Sequence, residues 1–379
     1  VPDTRHHDYD VVVALNYYTP YVSGVTEAAR VTAEGLATRG WKVLVVCGRH
    51  EPGTPTHETI NGVDVIRTRV AARIGKGIIS PGFVPTVARW ARRARLVHLH
   101  APMLEAGAIA KAIGKDVPLV VTYQCDVDLP DSAFNRFQVR ALDRSHRMAV
   151  RRSATVCVTS EDYAESSRLA DDLRGRTTEL PAPSLLRTGG SPAYRDGEGL
   201  HVGFLGRIVE EKGLEYLVRG FRELGPDARL VIGGDFAKVA GGSVVEKVRA
   251  AIDDDPRVRM LGFVPNEAVP DFYASIDVFA LPSINSLEAF GIVQVEAMML
   301  GVPSLASDLP GVRMPVRHTG FGAIVPPRDS GAIAAALREI EAADFDREAG
   351  SARARELYLA ENVVERHAEL FDRIAPTSP

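Results

Sequence analysis

The sequence predicts an α/β protein built from two doubly wound domains, each a parallel sheet with helices on both faces. Three observations lead there. Short apolar runs alternate with amphipathic stretches from end to end, the pattern of buried parallel strands joined by crossover helices. A Pro, Gly and Ser-rich stretch from Pro181 to Gly199 breaks the alternation, which then restarts. The length of 379 residues, with 45% hydrophobic and 25% charged content, suits two globular domains.

In order along the chain, strands are predicted at about 9–15, 41–47, 62–68, 96–100, 117–123, 154–158 and 177–181. Beyond the break they are predicted at about 201–206, 228–233, 257–261, 277–281, 302–306 and 322–325. The domains are therefore expected at 1–184 and 200–359, with 185–199 as linker and a last amphipathic helix from Ala360 to Ile374. Two such domains are expected to leave a cleft between facing carboxyl ends of strands.

Composition narrows the class. No apolar run approaches the roughly 20 residues that span a bilayer, and residues 1–8 are polar without a secretory pattern, so a cytoplasmic location is expected. Cys47, Cys125 and Cys157 are odd in number and far apart, which suits reduced thiols, and no zinc-ligand spacing is present. A net charge of −4 gives no footprint for nucleic acid. Arginine dominates the basic residues and alanine is frequent, as in a GC-rich bacterial genome.

Charge is uneven. Residues 1–185 hold 24 Lys+Arg against 20 Asp+Glu, and the remainder 21 against 29. Arg136, Arg140, Arg144, Arg147 and Arg151 form one stripe of a predicted helix. Such a stripe can seat a domain on an anionic membrane or meet a lipid-linked acceptor; a solvated face relieved by Asp143 is the plain alternative.

The most informative motif is Glu288-Ala-Phe-Gly-Ile-Val-Gln-Val-Glu296. A helix is predicted to begin at Gly291, which puts Glu288 just before its N-terminus and Glu296 about one turn inside. The unpaired amides there, with the helix dipole, favour a diphosphate over Ala289, Phe290, Gly291 and Ile292. Carboxylates would repel phosphates, so the two glutamates suit hydroxyls on either side of a diphosphate, as in a sugar nucleotide. The plain alternative is a dipole-favoured Glu and a solvated one. A second segment, Gly206-Arg207 followed by Lys212-Gly213, reads as strand, glycine turn, cation and helix. Arg207 can fork onto two phosphate oxygens while Lys212 adds a point charge, which together stabilise a departing nucleoside diphosphate; solvated cations are the alternative. A third, the Gly24 loop (Tyr18-Thr-Pro20-Tyr-Val-Ser23-Gly24), follows the first strand, where open α/β sheets bind ligands.

These segments, with Gly262-Phe-Val-Pro265, resemble glycosyltransferase family 4, whose members are retaining sugar transferases of the GT-B fold, two Rossmann-like domains around a cleft. The resemblance covers nearly the full length. It implies a nucleoside diphosphate sugar held mainly by the second domain, with Arg207 and Lys212 on the diphosphate and Glu288 and the amides of Ala289 to Ile292 on the donor sugar and phosphate. Glu296 would bind ribose, Phe263 would lie near the base, and helix 360–379 would cross back to the first domain. Two departures stand out. Members often carry Thr-Tyr-His-x-Asp where this chain has Thr122-Tyr-Gln124-Cys-Asp126, so proton transfer there is excluded for Gln124 although hydrogen bonding to a hydroxyl is not. Ser23 replaces one glycine of the early loop. His100, Gln124 and Asp126 are read as residues near the acceptor, His100 with a hydrogen-bonded structural histidine as the alternative.

Neither Asp126-Val-Asp128 nor His98-x-His100 shows enough ligands for a metal, and no cofactor is expected. No carboxylate stands out as the nucleophile that a double-displacement retaining enzyme requires. A front-face displacement is expected, with the leaving diphosphate taking the proton of the acceptor hydroxyl. GDP-mannose and UDP-hexoses fit, with mannose-like donors slightly favoured, and the acceptor is a lipid-linked glycan or a small molecule. A nicotinamide dehydrogenase is disfavoured because the early loop lacks Gly-x-Gly-x-x-Gly. An epimerase or hydrolase of the same fold, and a non-catalytic sugar-nucleotide binder, are the rivals.

Overall fold

A computed structural model of the chain describes residues 7–74, 77–129, 131–234 and 244–376; most of the polar stretch 1–8 lies outside them. The chain divides into two compact units, Val1–Pro183 with Ala360–Pro379, and Ser184–Leu359.

The first unit contains β1 (Tyr9–Ala14), β2 (Val43–Gly48), β3 (His57–Ile60), β4 (Val63–Thr68), the short pair β5 (Ala72–Ile74) and β6 (Gly77–Ile79), β7 (Ala94–Ala101), β8 (Leu119–Tyr123), β9 (Thr155–Val158) and β10 (Thr177–Glu179). Eight of these form one sheet in the order β10-β9-β8-β7-β1-β2-β4-β3. All its pairings are parallel except β3 with β4. Val11, Val12, Val13, Leu44, Val45 and Val46 are buried on both faces, so β1 and β2 are continuous apolar runs without alternation. Helix α1 (Gly24–Thr38) follows β1, with Ser23 as N-cap, its hydroxyl accepting from the Thr26 amide at 3.2 Å. Helix α2 (Ala133–Arg152) carries the arginine stripe.

The C-terminal helix, Ala360–Ile374, belongs to this unit. Its buried stripe includes Val363, Val364, His367 and Phe371, and Phe371 meets Trp41 edge-on at 6.0 Å. Arg39 to Glu365 at 2.9 Å and Arg95 to Asp372 at 2.6 Å close its sides.

The second unit holds β11 (His201–Leu205), β12 (Arg229–Gly233), β13 (Val258–Gly262), β14 (Val278–Leu281), β15 (Ser304–Ser307) and β16 (Gly322–Val325) in the order β13-β12-β11-β14-β15-β16, all parallel. Helix α3 (Leu214–Arg222) follows β11, and α4 (Ile292–Met299) follows β14. Leu214, Leu217, Val218 and Phe221 of α3 pack on Val202, Phe204, Leu230 and Ile232 of the sheet.

Residues 185–199, expected to be linker, lie inside the second unit. The segment is fastened there by polar contacts: the Ser191 amide to Asp271 at 2.7 Å, the Tyr194 amide to the Ser275 hydroxyl at 2.9 Å and Arg195 to Asp277 at 3.0 Å. A Gly and Pro-rich composition signals irregular backbone, and irregular backbone can still be packed.

Candidate active site

The second unit gathers its polar loops where the strand order reverses. β11, first in this sheet's sequence, has β12 on one side and β14 on the other, so the loops leaving the carboxyl ends of β11 and β14 are neighbours. This is the switch point at which open α/β sheets bind ligands.

The β11 loop is anchored by buried Ile208 and Val209, then closes in a single 3-10 turn over Glu210–Lys212. Gly213 ends that turn at φ 61°, and a Cβ there would stand 2.2 Å from the Pro282 carbonyl oxygen, so only glycine lets the turn press against the β14 loop. The Ile284 amide donates to the Glu211 carbonyl at 2.9 Å across the seam. Lys212 consequently reaches Glu288 and pairs with it, while Arg207 stays about half exposed, its nearest carboxylate Glu211 at 3.5 Å.

The turn entering α4 is fixed from below. Gly291 caps the helix at φ 85°, a conformation that suits glycine, and Phe290 is buried edge-on against Tyr358 at 5.6 Å. Gln294, fully buried, donates to the carbonyls of Phe290 at 2.6 Å and Val312 at 2.9 Å and accepts from the Ser304 hydroxyl at 3.2 Å. Sequence reasoning missed Gln294; its signal was one amide in a helix that is apolar apart from it and Glu296. The α4 N-terminus thus follows closely on Glu288 and its partner Lys212, on the loop next to the one that carries Arg207, an arrangement fit for a multiply charged anion flanked by a hydroxyl acceptor.

Glu296 is not the solvated surface glutamate of the plain alternative. It is buried, with Oε1 taking a hydrogen bond from Arg187 Nε at 3.0 Å and Oε2 from the Tyr273 hydroxyl at 3.0 Å. Burial, and then the neighbouring Glu296 carboxylate, push the Tyr273 hydroxyl well above the ordinary tyrosine range. Phe263 lies in the loop after β13, 72% exposed, an aromatic face open to solvent.

In the first unit, Gly24 opens α1, and a Cβ there would meet nothing within 4 Å. The fold itself therefore leaves room for a side chain at Gly24. Gln124 is partly buried, and its backbone N–H donates to the Ala101 carbonyl at 3.2 Å. Two readings need correction. Asp126 is 6% exposed and committed to its own unit, accepting from Tyr123, from the Ser167 hydroxyl at 2.9 Å and from the Arg168 amide at 3.1 Å. Its neighbour Asp128 pairs with Arg168 at 3.0 Å. His100 is 3% exposed and lies against His98 with ring centroids 4.3 Å apart; neither of its nitrogens has a hydrogen-bond partner among the described residues. Burial and the nearby His367 lower its pKa to about 3, so it is a neutral core histidine rather than an exposed acceptor group. Among the described residues no group of three or more His, Cys, Asp or Glu side chains could hold a metal ion.

Two Rossmann-like units, each built on a largely parallel sheet, define the GT-B class. Sucrose-phosphate synthase from Thermosynechococcus elongatus has the same fold, with a TM-score of 0.75, 20% identity and 96% and 98% of the two chains covered. Residues 23–181 match the family described as glycosyl transferase 4-like domain, and residues 195–357 match glycosyl transferases group 1. The chain belongs to the family-4-type glycosyltransferases. It is 30% identical over 260 residues to alpha-D-kanosaminyltransferase of Streptomyces kanamyceticus, covering 61% of this chain and 64% of that one, just under two thirds of the relative's length. It is 28% identical over 341 residues to phosphatidyl-myo-inositol mannosyltransferase of Mycobacterium leprae, covering 83% and 82%.

Proposed function

We propose that the protein transfers a hexose from a nucleoside diphosphate sugar to an acceptor hydroxyl with retention at the anomeric carbon. The observation that carries this reading is the pairing of Lys212 with Glu288 just before the α4 N-terminus at the switch point, on the loop next to Arg207. The donor diphosphate would lie over Ala289 to Ile292, with Arg207 and Lys212 on its oxygens and Gly206 allowing close backbone approach. Lys212 then exchanges Glu288 for phosphate, which frees the Glu288 carboxylate to accept from a sugar hydroxyl. In the front-face step the anomeric carbon to diphosphate bond breaks and the acceptor oxygen bonds to the same face. The acceptor proton goes to the leaving diphosphate oxygen. The two cations supply the neutralising charge, so the reading needs no metal ion or cofactor. Phe263 offers a face for the base, and Gln124 a hydrogen bond near the acceptor.

The relatives' names support hexose-type groups, kanosaminyl in one and mannosyl in the other, and make UDP-hexoses and GDP-mannose the donors to compare. A ligand that binds only the folded state stabilises it by about 2.7 kcal/mol at one hundred times its Kd. A clear rise in melting temperature is therefore expected with one of UDP, GDP, ADP or TDP, followed by glycoside formation with the matching sugar nucleotide. No shift with any of the four would remove the donor site. Donor turnover without acceptor would favour the hydrolase or epimerase reading, and binding without any product a non-catalytic role.

The same reading gives the α2 stripe a peripheral contact with anionic lipid. Arg136 pairs with Asp131, and Arg147 and Arg151 share Asp172, but Arg140 and Arg144 face no carboxylate among the described residues. Beside them Phe134 and Phe137 are 65% and 68% exposed, the aromatic and cationic pairing that suits a membrane interface. No helix of the described residues is long and apolar enough to cross a membrane. Co-sedimentation with phosphatidylglycerol vesicles, weakened in Arg140→Glu/Arg144→Glu, is the expected result; equal recovery with neutral and anionic vesicles would place the acceptor in solution.

A further inference from the structure

Arg187 lies in the irregular segment between Ser184 and the first strand of the second unit, far in sequence from the site and outside its motifs. Its Nε nevertheless donates to Glu296 Oε1 at 3.0 Å, with only 18% of the arginine side chain and 6% of the glutamate side chain exposed. Tyr273 donates to the other oxygen at 3.0 Å, and its hydroxyl also lies 3.1 Å from the Val293 carbonyl of the same helix.

A carboxylate this buried has lost most of its water and either takes up a proton or finds a cation. The guanidinium settles that choice, because it does not deprotonate and it favours the ionised partner. Ionisation matters for recognition, since the charged group only accepts hydrogen bonds, on both oxygens, whereas the acid form donates through one of them. Tyr273 fixes the carboxylate's rotation from the other side.

We propose that Arg187, with Tyr273, is a positioning residue for nucleotide recognition, keeping Glu296 ionised and oriented so that it accepts from both hydroxyls of a ribose. This rests on the reading of Glu296 as the ribose-binding group. A purely structural role, tying the irregular segment to α4, makes a different prediction, because it would affect every nucleotide alike.

The test compares the tightest-binding nucleoside diphosphate with its 2′,3′-dideoxy counterpart by calorimetry, for wild type, Arg187→Met and Tyr273→Phe, with melting temperatures measured alongside. Wild type is expected to prefer the ribonucleotide by at least about tenfold, the value of hydrogen bonds to a charged acceptor. Arg187→Met should bring that ratio close to one, mostly by weakening the ribonucleotide, and the preference should return in part as pH is raised and the carboxylate ionises. Tyr273→Phe should reduce the ratio without that pH-dependent return. If Arg187→Met unfolds, Arg187→Lys, which keeps the charge but loses the planar fork, should fold and show an intermediate ratio. An unchanged ratio in the folded Arg187 variant overturns the proposal alone. A wild-type ratio near one overturns the ribose assignment of Glu296 itself, and the proposal with it.

Discussion

Lys212→Ala is expected to lower kcat by two to three orders of magnitude, about the cost of removing one preorganised donor from a developing negative charge. The structure makes this test sharper than the sequence did, because Lys212 also has a partner in the protein. It pairs with Glu288 where the two side chains are 13% and 16% exposed. Removing the lysine alone leaves a partly buried carboxylate without its cation, so a loss of melting temperature should accompany the loss of rate. The two effects separate in the double variant. Lys212→Ala/Glu288→Gln removes the stranded charge and should regain most of the melting temperature, yet it should stay as slow as the single variant or slower. Glu288→Gln alone should lower turnover more than nucleotide affinity, since it removes an acceptor for the sugar and leaves the cations in place. Lys212→Ala with kcat within threefold of wild type, measured by release of nucleoside diphosphate at saturating donor, would sink the assignment.

Why this pair could be half read from sequence is a matter of topology. The strand, glycine turn, cation pattern at 206–213 and the helix start near Gly291 are local, and local signals survive without a fold. That Lys212 and Glu288, 76 positions apart, touch each other depends on β11 and β14 being neighbours across the switch point. The strands themselves were legible because parallel strands buried on both faces are unbroken apolar runs. β3 was not, since His57–Ile60 is a polar antiparallel edge strand; the signal for it was Asn61-Gly62, whose φ values of 50° and 82° make the two-residue hairpin turn that Asn-Gly favours. Arg187 was missed because a Pro, Gly and Ser-rich stretch reads as linker, and composition is blind to what a single arginine reaches. Asp126 was misread for the converse reason: nothing in Thr122-Tyr-Gln124-Cys-Asp126 tells that Ser167 and Arg168, some forty residues on, close around its carboxylate.

Acidification from pH 7.5 to pH 5 should destabilise the first unit by at least about 4 kcal/mol through histidines that the reaction does not use. His98 and His100 alternate on β7 and so share a face, which packs against His367 and Phe371 of the C-terminal helix. His98 Nε2 lies 2.7 Å from the Thr122 hydroxyl and His367 Nδ1 lies 2.9 Å from the Val363 carbonyl, but no carboxylate stands in the cluster. Burial lowers all three: His98 well below the usual range, with His100 adding to the effect, His100 to about 3 and His367 to about 4, with Arg366 contributing. Their unfolded pKa is near 6.5, so the unfolded chain binds protons first as pH falls. Stability is therefore complete above about 6.5 and is lost downward toward the folded values, at about 2 kcal/mol each for His100 and His367 by pH 5. His100 and His367 account for the total given, and His98 adds to it. Both tryptophans, Trp41 and Trp90, lie in this unit, so urea unfolding followed by tryptophan fluorescence reports it directly. His100→Leu should remove about 2 kcal/mol of the pH dependence while keeping the apolar packing. A urea midpoint that stays the same from pH 7.5 to pH 5 would show that these histidines are already protonated in the folded protein, or that the C-terminal helix does not cover them.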